Sequence, residues 1–465
     1  MEVKTLQPVE RCPWCGADNR TAWGTCRACG RYYLPRGWGR EPRTRHAFWC
    51  WWLVAGLGVV ASLSAWIIFP FLPSPRMILF QKPTTQLTSD SPDHQWAMRG
   101  LHLTQNRYVA TPSRHVAGRL MWSVDLGIST RSDPVVVDNI IYMGGHFRIL
   151  ALDAHTGRLL QGIPTTGPVH TSVAVAGDML YVGLQDWRVL ALDHPTGQIR
   201  WAFTTQNPIA GSAAVAKGIV YIGSGDGFLY ALDAATGRLI WKFKTKGYPL
   251  SPPAIADGTL FVSSTEGILY ALHARTGQLR LRFYVPERLQ DAPVIDNGMV
   301  YFPSDGQIYA VDASARQYPG QRQLNLIWAQ FWLWQVPGVP KPPVQPGGRW
   351  RFSHRNRPRA ILSAPAVAHN ILYVGDLNGY LYARDAQWAT DLWQFKAEGG
   401  VRTSPLVLGA RVYFGTDAGV LYALDRTHGT LLWQRDLGAP IETAPVFAGG
   451  RLYICTSNGR LHAIE

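Results

Sequence analysis

The chain has 465 residues, of which only 16% are charged, whereas Gly (46), Pro (32), Trp (19) and Tyr (19) are abundant. This balance excludes a disordered chain, a coiled coil and collagen, and it favours a turn-rich β protein. The net charge of +14 is concentrated in two stretches: residues 1–46 carry nine Lys or Arg against four Asp or Glu, and residues 313–360 carry eight against none. The bulk of the molecule is therefore electrically neutral.

The first 46 residues contain two cysteine pairs, Cys-Pro-Trp-Cys-Gly and Cys-Arg-Ala-Cys-Gly, separated by ten residues. Each pair can place two thiolates on one ion, and Gly16 and Gly30 supply a tight backbone behind them. The pattern resembles a short zinc ribbon over residues 9–33 that binds a structural Zn²⁺. Two disulfides and a rubredoxin-like iron site are the alternatives. The predicted zinc ligands are Cys12, Cys15, Cys26 and Cys29.

Residues 47–69 form an uncharged run of 23 residues, which as a helix would be about 34 Å long and could cross the roughly 30 Å hydrocarbon core. Tryptophans near both ends suit the membrane interfaces. Six arginines precede the run closely, against one Arg and one Lys after it, so the positive-inside rule predicts a cytoplasmic amino terminus. Because no signal-peptide cleavage pattern is present, we expect a retained single-pass transmembrane helix that leaves the zinc ribbon in the cytoplasm and the rest outside.

A Pro-, Ser- and Thr-rich linker over residues 70–93 precedes a repeat with a period near 40 residues. The clearest copy, residues 211–245, alternates apolar and polar positions through short strands that are separated by Gly-containing turns. Each copy is predicted to be a four-stranded meander. Eight copies begin near Ser132, Thr171, Ser212, Ser251, Ala292, Ser363, Ser404 and Thr443.

The last copy ends at the carboxyl terminus with three strands and lacks the one that would carry a Trp. Upstream of the first copy, Trp122 precedes Pro134 by the same twelve residues that separate Trp201 from Ala213. We therefore expect the upstream strand to complete the last blade, which removes an exposed sheet edge. The predicted fold is all-β: an eight-bladed β-propeller over residues 119–465, closed by an N-terminal strand and preceded by the zinc ribbon and the transmembrane helix.

In several copies a Trp follows the Ala of an Ala-Leu-Asp or related word by ten residues. The pattern A-x-D-x-x-x-G-x-x-x-W is similar to the tryptophan-docking motif of PQQ-like propellers. The resemblance implies that each indole packs across neighbouring blades and bonds to backbone, so these residues serve the fold. It also implies that residues 94–118 form a lead-in segment strapped along the propeller. The predicted docking residues are Trp122, Trp201, Trp241, Trp328, Trp393 and Trp433.

The family that the chain resembles includes quinoprotein dehydrogenases and a non-enzymatic propeller lipoprotein of outer-membrane protein assembly. The dehydrogenases use a vicinal Cys-Cys disulfide above the quinone, an Asp base, and Glu, Asn and Asp ligands for calcium. No two cysteines of this chain are adjacent, and Cys455 is expected to be a buried, inert thiol. Aspartates such as Asp226 and Asp376 precede hairpin glycines, where they have an ordinary turn role. We therefore assign no catalytic residue and do not expect PQQ as a cofactor or enzymatic activity.

The fifth copy carries an insertion at about residues 313–361, because Pro293 and Pro365 are 72 residues apart instead of 40, which leaves 32 extra residues. Its aromatic side chains exceed what one strand face can bury, and no acidic residue neutralises its arginines. This composition suits a partner protein, anionic lipid headgroups or nucleic acid, the last being least expected outside the cell. The alternative is an insertion that folds over its own propeller. The predicted partner-binding residues are Phe331, Trp332, Trp334, Arg349, Trp350, Arg351, Arg355, Arg357 and Arg359.

Taken together, these patterns predict a single-pass protein of the cell membrane with a cytoplasmic zinc ribbon and an extracytoplasmic propeller. The propeller is expected to act as a non-enzymatic protein-binding or assembly scaffold in the cell envelope. Its partners would be proteins in or near the membrane, and no nucleic acid is expected. Two alternative functions are a PQQ-dependent quinoprotein dehydrogenase and a receptor that couples an external ligand to the zinc ribbon.

Overall fold

The chain divides into two compact units, Met1–Ile67 and Ile68–Glu465. In the first unit, β1 (Gly24–Thr25) pairs antiparallel with β2 (Tyr32–Tyr33). The predicted membrane span, residues 47–69, lies outside the described residues, and among those described no helix is long and apolar enough to cross a bilayer. The computed structural model describes residues 11, 15–17, 24–25, 28–29, 32–33, 83–86, 88, 95–110, 116–128, 130, 132–194, 196–289, 291–353 and 363–465.

The second unit contains eight blades within its described residues, each built on four antiparallel strands, and blade seven gains a fifth, parallel strand at Tyr108–Val109. Two strands precede the first complete blade, β3 (Tyr108–Val109) and β4 (Leu120–Asp125). Blades one to four consist of β5 (Val135–Val137), β6 (Ile140–Gly145), β7 (Arg148–Asp153), β8 (Leu159–Pro164), β9 (Ala174–Ala176), β10 (Met179–Gly183), β11 (Arg188–Asp193), β12 (Ile199–Thr204), β13 (Ala214–Ala216), β14 (Ile219–Gly223), β15 (Phe228–Asp233), β16 (Leu239–Lys244), β17 (Ala254–Ala256), β18 (Thr259–Ser264), β19 (Ile268–His273) and β20 (Leu279–Tyr284).

Blades five to eight continue in the same order, with one helix, α1 (Gln321–Leu333), between the third and fourth strands of blade five. Their strands are β21 (Val294–Asp296), β22 (Met299–Ser304), β23 (Gln307–Asp312), β24 (Gly348–Ser353), β25 (Ala366–Ala368), β26 (Ile371–Gly375), β27 (Tyr380–Asp385), β28 (Asp391–Lys396), β29 (Leu406–Leu408), β30 (Arg411–Gly415), β31 (Val420–Asp425), β32 (Leu431–Asp436), β33 (Val446–Ala448), β34 (Arg451–Cys455) and β35 (Arg460–Ile464).

The burial of each blade follows from its sequence. In blade three every residue of β14 is buried, because both faces of a middle strand pack against neighbouring blades and so require apolar side chains on both sides. The outer strand β28 alternates between exposed and half-buried residues. The inner hairpin of blade three turns at Lys217 and Gly218, whose φ angles are 49° and 77°, as in the turns that match the twist of paired strands.

The ring closes as the repeat arithmetic predicts. Strand β4 pairs antiparallel with β35, so that Trp122 lies opposite Ala463 and completes the eighth blade. Two backbone bonds extend this pairing, from the Arg119 amide to the Glu465 carbonyl at 2.7 Å and from the Glu465 amide to the Arg119 carbonyl at 2.8 Å. The predicted all-β, eight-bladed propeller closed by an N-terminal strand is therefore confirmed.

Tryptophans of the outer strands connect neighbouring blades. The Trp241 indole donates its Nε1–H to the Ala274 carbonyl at 3.0 Å, and the Tyr221 hydroxyl donates to the same carbonyl at 3.1 Å. A Cβ on Gly277 would lie 2.8 Å from the indole, so only glycine, here with a φ of 69°, leaves room for the ring. The same pair of hydrogen bonds to one backbone carbonyl occurs at three other contacts between blades. The donors and acceptors are Trp201 and Tyr181 at Ala234, Trp350 and Tyr301 at Ala386, and Trp393 and Tyr373 at Arg426.

The two indoles nearest the closure differ in detail. Trp433 donates to the Val116 carbonyl at 3.1 Å, which belongs to the segment that enters the closing strand. Trp122 packs on the Tyr453 ring with centroids 6.0 Å apart, but its Nε1 has no hydrogen-bond partner among the described residues. The carbonyl equivalent to those used elsewhere, that of Ala154, receives the Tyr453 hydroxyl at 3.0 Å.

The structure of blade five contradicts the prediction that Trp328 is a docking residue. Trp350 lies opposite Ala310 and donates its Nε1–H to the Ala386 carbonyl at 3.1 Å, whereas Trp328 lies in α1 and donates to the Pro340 carbonyl at 2.8 Å. Ala310 and Trp350 are 40 residues apart instead of ten, so 30 extra residues separate the third and fourth strands. Trp328 is the first Trp of the insertion, which is why its position predicted a docking role. Trp350 is consequently the docking residue of this blade, so it has a role in the fold.

Residues 95–110, which we call the inner strap, lie across the inner edges of the blades. Strap carbonyls from Ala97 to Arg107 accept amide hydrogens from the middle residues of inner strands, at 2.7–3.2 Å. Inner strands line the centre of a propeller, so the strap covers the central edges that would otherwise lack partners. Trp96 also bridges Val136 of blade one. The strand residues that donate to the strap are Val175, Ile255, Ile295, Val367 and Val407.

Candidate interaction surface

The insertion of blade five is fixed to the exposed edge of β20, the outer strand of blade four. The Gln345 side-chain amide donates to the Tyr284 carbonyl at 2.7 Å and accepts from the Tyr284 amide at 2.8 Å. Gln317 bonds to the same edge through the Arg280 carbonyl at 2.8 Å and the Arg282 amide at 3.1 Å. Two glutamines on either side of α1 thus satisfy backbone groups that an edge strand would otherwise leave open, and they fix the position of the helix.

The surface of α1 is apolar and exposed. None of its residues is buried, and its large apolar side chains, together with Trp334 just after it, are between 38% and 66% exposed. Folded monomers rarely expose so many neighbouring apolar side chains unless the patch has a binding role. The side chains are Leu324, Leu326, Ile327, Trp328, Phe331, Trp332, Leu333 and Trp334.

Arginines surround the base of the helix. Burial, and then the nearby charge of Arg316, lower the pKa of Arg280, so two cations are close together on this face. The Arg322 guanidinium lies 3.6 Å from the centre of the Tyr284 ring, an arrangement typical of a cation–π contact. Among the described residues, neither Arg316 nor Arg322 nor Arg282 forms a salt bridge. The surface around α1 is therefore both apolar and positively charged.

The other predicted partner-binding residues divide into two groups. Phe331, Trp332 and Trp334 are exposed together on α1 and its carboxyl end, with the Phe331 and Trp334 rings 6.1 Å apart. Arg349 and Arg351 are exposed on β24, and Arg349 pairs with Asp312 at 2.6 Å. Three further predicted residues lie outside the described part of the chain: Arg355, Arg357 and Arg359.

Neither the helix nor the glutamines that anchor it were predicted from the sequence. Apolar residues at Leu324, Ile327, Phe331 and Trp334 recur at three- and four-residue intervals, which is the spacing of one helix face. That signal was available, but the fixed strand pattern of the repeats was extended across it. Gln317, Gln345 and the arginines of blade four have no recognisable motif, because their role depends on the neighbouring blade.

Part of the predicted zinc ribbon lies outside the described residues, including Cys12 and Cys26. Gly16 follows Cys15 with a φ of 68° and open space where a Cβ would be, which suits the tight turn behind a cysteine pair. Cys15 and Cys29 are exposed. Within the described part of the chain, no group of three His, Cys, Asp or Glu could hold a metal ion, and two of the four predicted ligands lie beyond that part.

Three residues bear on the question of a quinone and calcium site: Cys455, Asp226 and Asp376. Cys455 stands alone, and burial raises the pKa of its thiol to about 12, which makes it unreactive. Asp226 accepts the Tyr230 hydroxyl at 2.7 Å, and Asp376 accepts the Tyr382 hydroxyl at 3.1 Å, so both carboxylates bond within their own hairpins. At the centre, the inner strap covers the strand edges. Packing and hairpin hydrogen bonds therefore account for Cys455, Asp226 and Asp376.

Eight blades, docked tryptophans and a strand-closed ring define a propeller of PQQ-like repeats. The chain belongs to the PQQ_2 family, whose description is outer membrane protein assembly factor BamB, and the family model matches residues 113–245, 185–269, 226–344 and 333–465. A comparison with curated proteins found no match.

Solved structures with the same fold have different functions. BamB from Moraxella catarrhalis is 16% identical, with a TM-score of 0.58 over 75% of this chain and 97% of that one. The computationally designed Ika8 protein is 17% identical, with a TM-score of 0.61 over 75% and 99%. The quinohemoprotein alcohol dehydrogenase from Comamonas testosteroni is 15% identical, with a TM-score of 0.62 over 87% and 84%. At these identities the likeness concerns the fold alone.

Proposed function

We propose that this chain is a non-enzymatic binding or assembly scaffold of the cell envelope, and that the insertion of blade five is its contact surface for a protein partner. The observation that carries the proposal is α1, which has no buried residue yet lies in an insertion that Gln317 and Gln345 fix to blade four on either side of the helix. An apolar helix that contributes nothing to the core has its use in an intermolecular contact. The family description, an assembly factor for outer membrane proteins, supports the same function and location.

The contact would use preorganised anchors. Phe331, Trp332 and Trp334 supply large, rigid apolar groups, and Arg349 and Arg351 supply charged groups beside them. Aromatic residues and Arg contribute most of the binding energy in protein interfaces. Because Gln317 and Gln345 hold the helix in place, little ordering entropy would be lost on binding. Arg355, Arg357 and Arg359, which lie outside the described residues, belong to the same proposed surface.

The proposal extends to the amino-terminal part of the chain. Residues 47–69 would anchor the protein in the cell membrane as one helix, with the amino terminus in the cytoplasm and the propeller outside. Zn²⁺ bound by Cys12, Cys15, Cys26 and Cys29 would stabilise the small unit that contains β1 and β2. Zinc analysis of the purified chain tests this part: we expect one zinc per chain, and loss of the metal when Cys12 and Cys26 are both replaced by Ser.

Replacing residues 313–347 by the five-residue connection Arg426–Thr430 of blade seven tests the contact surface. The two segments join equivalent strand positions, since Asp312 bonds to Gly347 as Asp425 bonds to Thr430, so Trp350 can still dock. We expect the variant to fold and to lose the protein adducts that crosslinking in intact membranes gives with the wild type, as identified by mass spectrometry. Unchanged adducts from a folded variant would refute the proposal.

A dehydrogenase is the second candidate, because solved structures with this fold include a quinohemoprotein alcohol dehydrogenase. The residue set described above does not favour it. Adding PQQ and calcium to the purified chain should therefore give neither a bound chromophore nor alcohol-dependent dye reduction. If both were observed, the scaffold proposal would have to be replaced.

A further inference from the structure

One hairpin position can be compared across all the described blades. The turn between the second and third strands contains a residue with a left-handed backbone, and the eight equivalents recur at the repeat period. Six of these described positions are glycines with φ between 70° and 93°, whereas blades one and two have Phe147 at 58° and Trp187 at 74°. The equivalent positions are Phe147, Trp187, Gly227, Gly267, Gly306, Gly379, Gly419 and Gly459.

The backbone around this position is the same whichever residue occupies it. The Phe147 carbonyl accepts the Thr165 amide at 2.9 Å, and the Trp187 carbonyl accepts the Thr205 amide at 2.8 Å. In blade three the Gly227 carbonyl accepts an equivalent amide at 2.9 Å. A left-handed backbone is free for glycine but strained for a bulky side chain. The fold therefore requires the conformation, and the two aromatic residues adopt it at a cost.

The cost is not balanced by burial. Phe147 is 47% exposed and Trp187 is 48% exposed, so about half of each ring surface faces solvent. Strained residues cluster at functional sites, and proteins commonly give up stability for such sites. Six described blades of the same molecule fold with glycine at the position, so the aromatic rings have a purpose other than folding.

The two hairpins are neighbours on one face of the ring. The connection from blade one to blade two bonds to both: its Thr165 amide donates to Phe147, and its Pro168 carbonyl accepts the Gln185 amide at 3.1 Å, two residues before Trp187. The His146 ring contacts the Phe147 ring edge-on at 4.7 Å. The two hairpins that carry the aromatic rings are therefore joined through one connection.

One exposed cation beside Phe147, Arg148, has no acidic partner among the described residues. Asp186 is bound to Arg188 at 2.6 Å, which neutralises both. His146 and His170 are exposed in the same region. An occupant with acidic groups would complement these side chains.

We infer that Phe147, Trp187 and the exposed Arg148, on the adjoining hairpins of blades one and two, form a second contact site that binds a polypeptide segment with acidic and apolar side chains. Exposed Trp, aromatic and Arg groups in one patch are the anchors that protein partners use most. The site lies on blades one and two, whereas the insertion is fixed to blades four and five. It is therefore independent of the proposed contact at α1, and either can fail without the other.

The first test separates function from folding. In the full-length chain, Phe147→Gly and Trp187→Gly should each raise the melting temperature, by about 2 °C, because glycine removes the strain. The reciprocal change Gly227→Trp should lower it. A fall in the melting temperature of either glycine variant would show that the ring serves the fold, and it would overturn the inference.

The second test measures binding with a defined probe, a display library of random twelve-residue peptides selected on the full-length chain. Enriched peptides should carry acidic and aromatic or aliphatic residues, and their affinity should fall at least about tenfold in Phe147→Gly/Trp187→Gly. Trp388→Gly is the matched control, because Trp388 is 70% exposed on blade six. The affinity of the enriched peptides for this variant should equal that for the wild type. Replacing residues 313–347 should also leave this binding intact.

Three results would contradict the inference. Peptides could bind the double glycine variant as well as the wild type, or the selection could yield none that depends on the two aromatic residues. Alternatively, vesicles of phosphatidylglycerol could bind the wild type, and not the double variant, in place of any peptide, which would reassign the site to lipid. If the variant lacking residues 313–347 kept its protein adducts while peptide binding still depended on Phe147 and Trp187, only the proposed function would be refuted.

Discussion

At the scale of single residues, neighbouring blades are connected by a backbone carbonyl that accepts hydrogen bonds from two side chains. The Ala386 carbonyl receives both the Trp350 indole and the Tyr301 hydroxyl, at 3.1 Å each. Sequence spacing identified most of these tryptophans, because ten residues separate them from a fixed Ala. The tyrosine partners were not assigned, since a Tyr in an apolar strand has no signal that distinguishes a joint from ordinary core.

Truncation of two tryptophans of the same region should affect the free energy of unfolding to different extents. Trp350→Ala removes an indole that packs on Tyr301 and bonds to blade six, so we expect a loss of about 3 kcal/mol in the free energy of unfolding. Trp334→Ala removes a ring that is 66% exposed, and the change should stay within about 0.5 kcal/mol. Urea unfolding measures both, and equal losses would contradict the reassignment of the docking residue.

At the scale of elements, the insertion and the inner strap are the two departures from the repeat. The sequence predicted the position and exposed character of the insertion, since no repeat word occurs in it. It did not predict α1, because the strand pattern on either side was extended into it. The path of the strap was expected only in outline: its bonds to inner strands come from its own carbonyls, and backbone groups leave no trace in side-chain patterns.

Hydrogen exchange can test the role of the strap. In a fragment of residues 116–465, the amides of Val175, Ile255 and Ile295 should exchange at least about tenfold faster than in a fragment of residues 83–465, because their acceptors are gone. The amide of Val220, in the middle of blade three, should be unaffected. Equal protection of the inner-strand amides in both fragments would show that the strap is dispensable for the ring.

At the scale of the whole molecule, closure joins the two ends of the propeller. It could be predicted because the missing strand and the extra strand share one twelve-residue offset, so chain arithmetic was sufficient. The face that carries Phe147 and Trp187 could not be predicted in this way. Their significance depends on the left-handed backbone of equivalent hairpins, which is visible only when the blades are compared as structures.

Acid should weaken the closing blade. His462 lies opposite Ser123 of β4, and burial, with the nearby charge of Arg460, lowers its pKa to about 4 from about 6.5 in the unfolded chain. The folded state favours neutral His462. The full stability of the closing blade is therefore present above pH 6.5, and it is lost progressively as the pH falls towards 4, because the unfolded chain takes up the proton more readily. The pKa difference corresponds to about 3 kcal/mol.

Between pH 6.5 and 4, the free energy of unfolding should therefore fall more steeply for the wild type than for His462→Tyr. Tyrosine is chosen because Tyr230 occupies the equivalent position of blade three. Tyrosine does not titrate in this range. Parallel stability curves for the two proteins would mean that His462 does not determine the acid sensitivity of the closure.

Site-specific photo-crosslinking tests the scaffold function most directly. A photoreactive side chain would be placed at Trp334, 66% exposed after α1, and in a second chain at Trp388, 70% exposed on blade six, in intact membranes of cells that make the protein. We predict a discrete protein adduct from position 334 that is absent from position 388. No adduct from 334, or the same adducts from both positions, would contradict a partner-binding insertion.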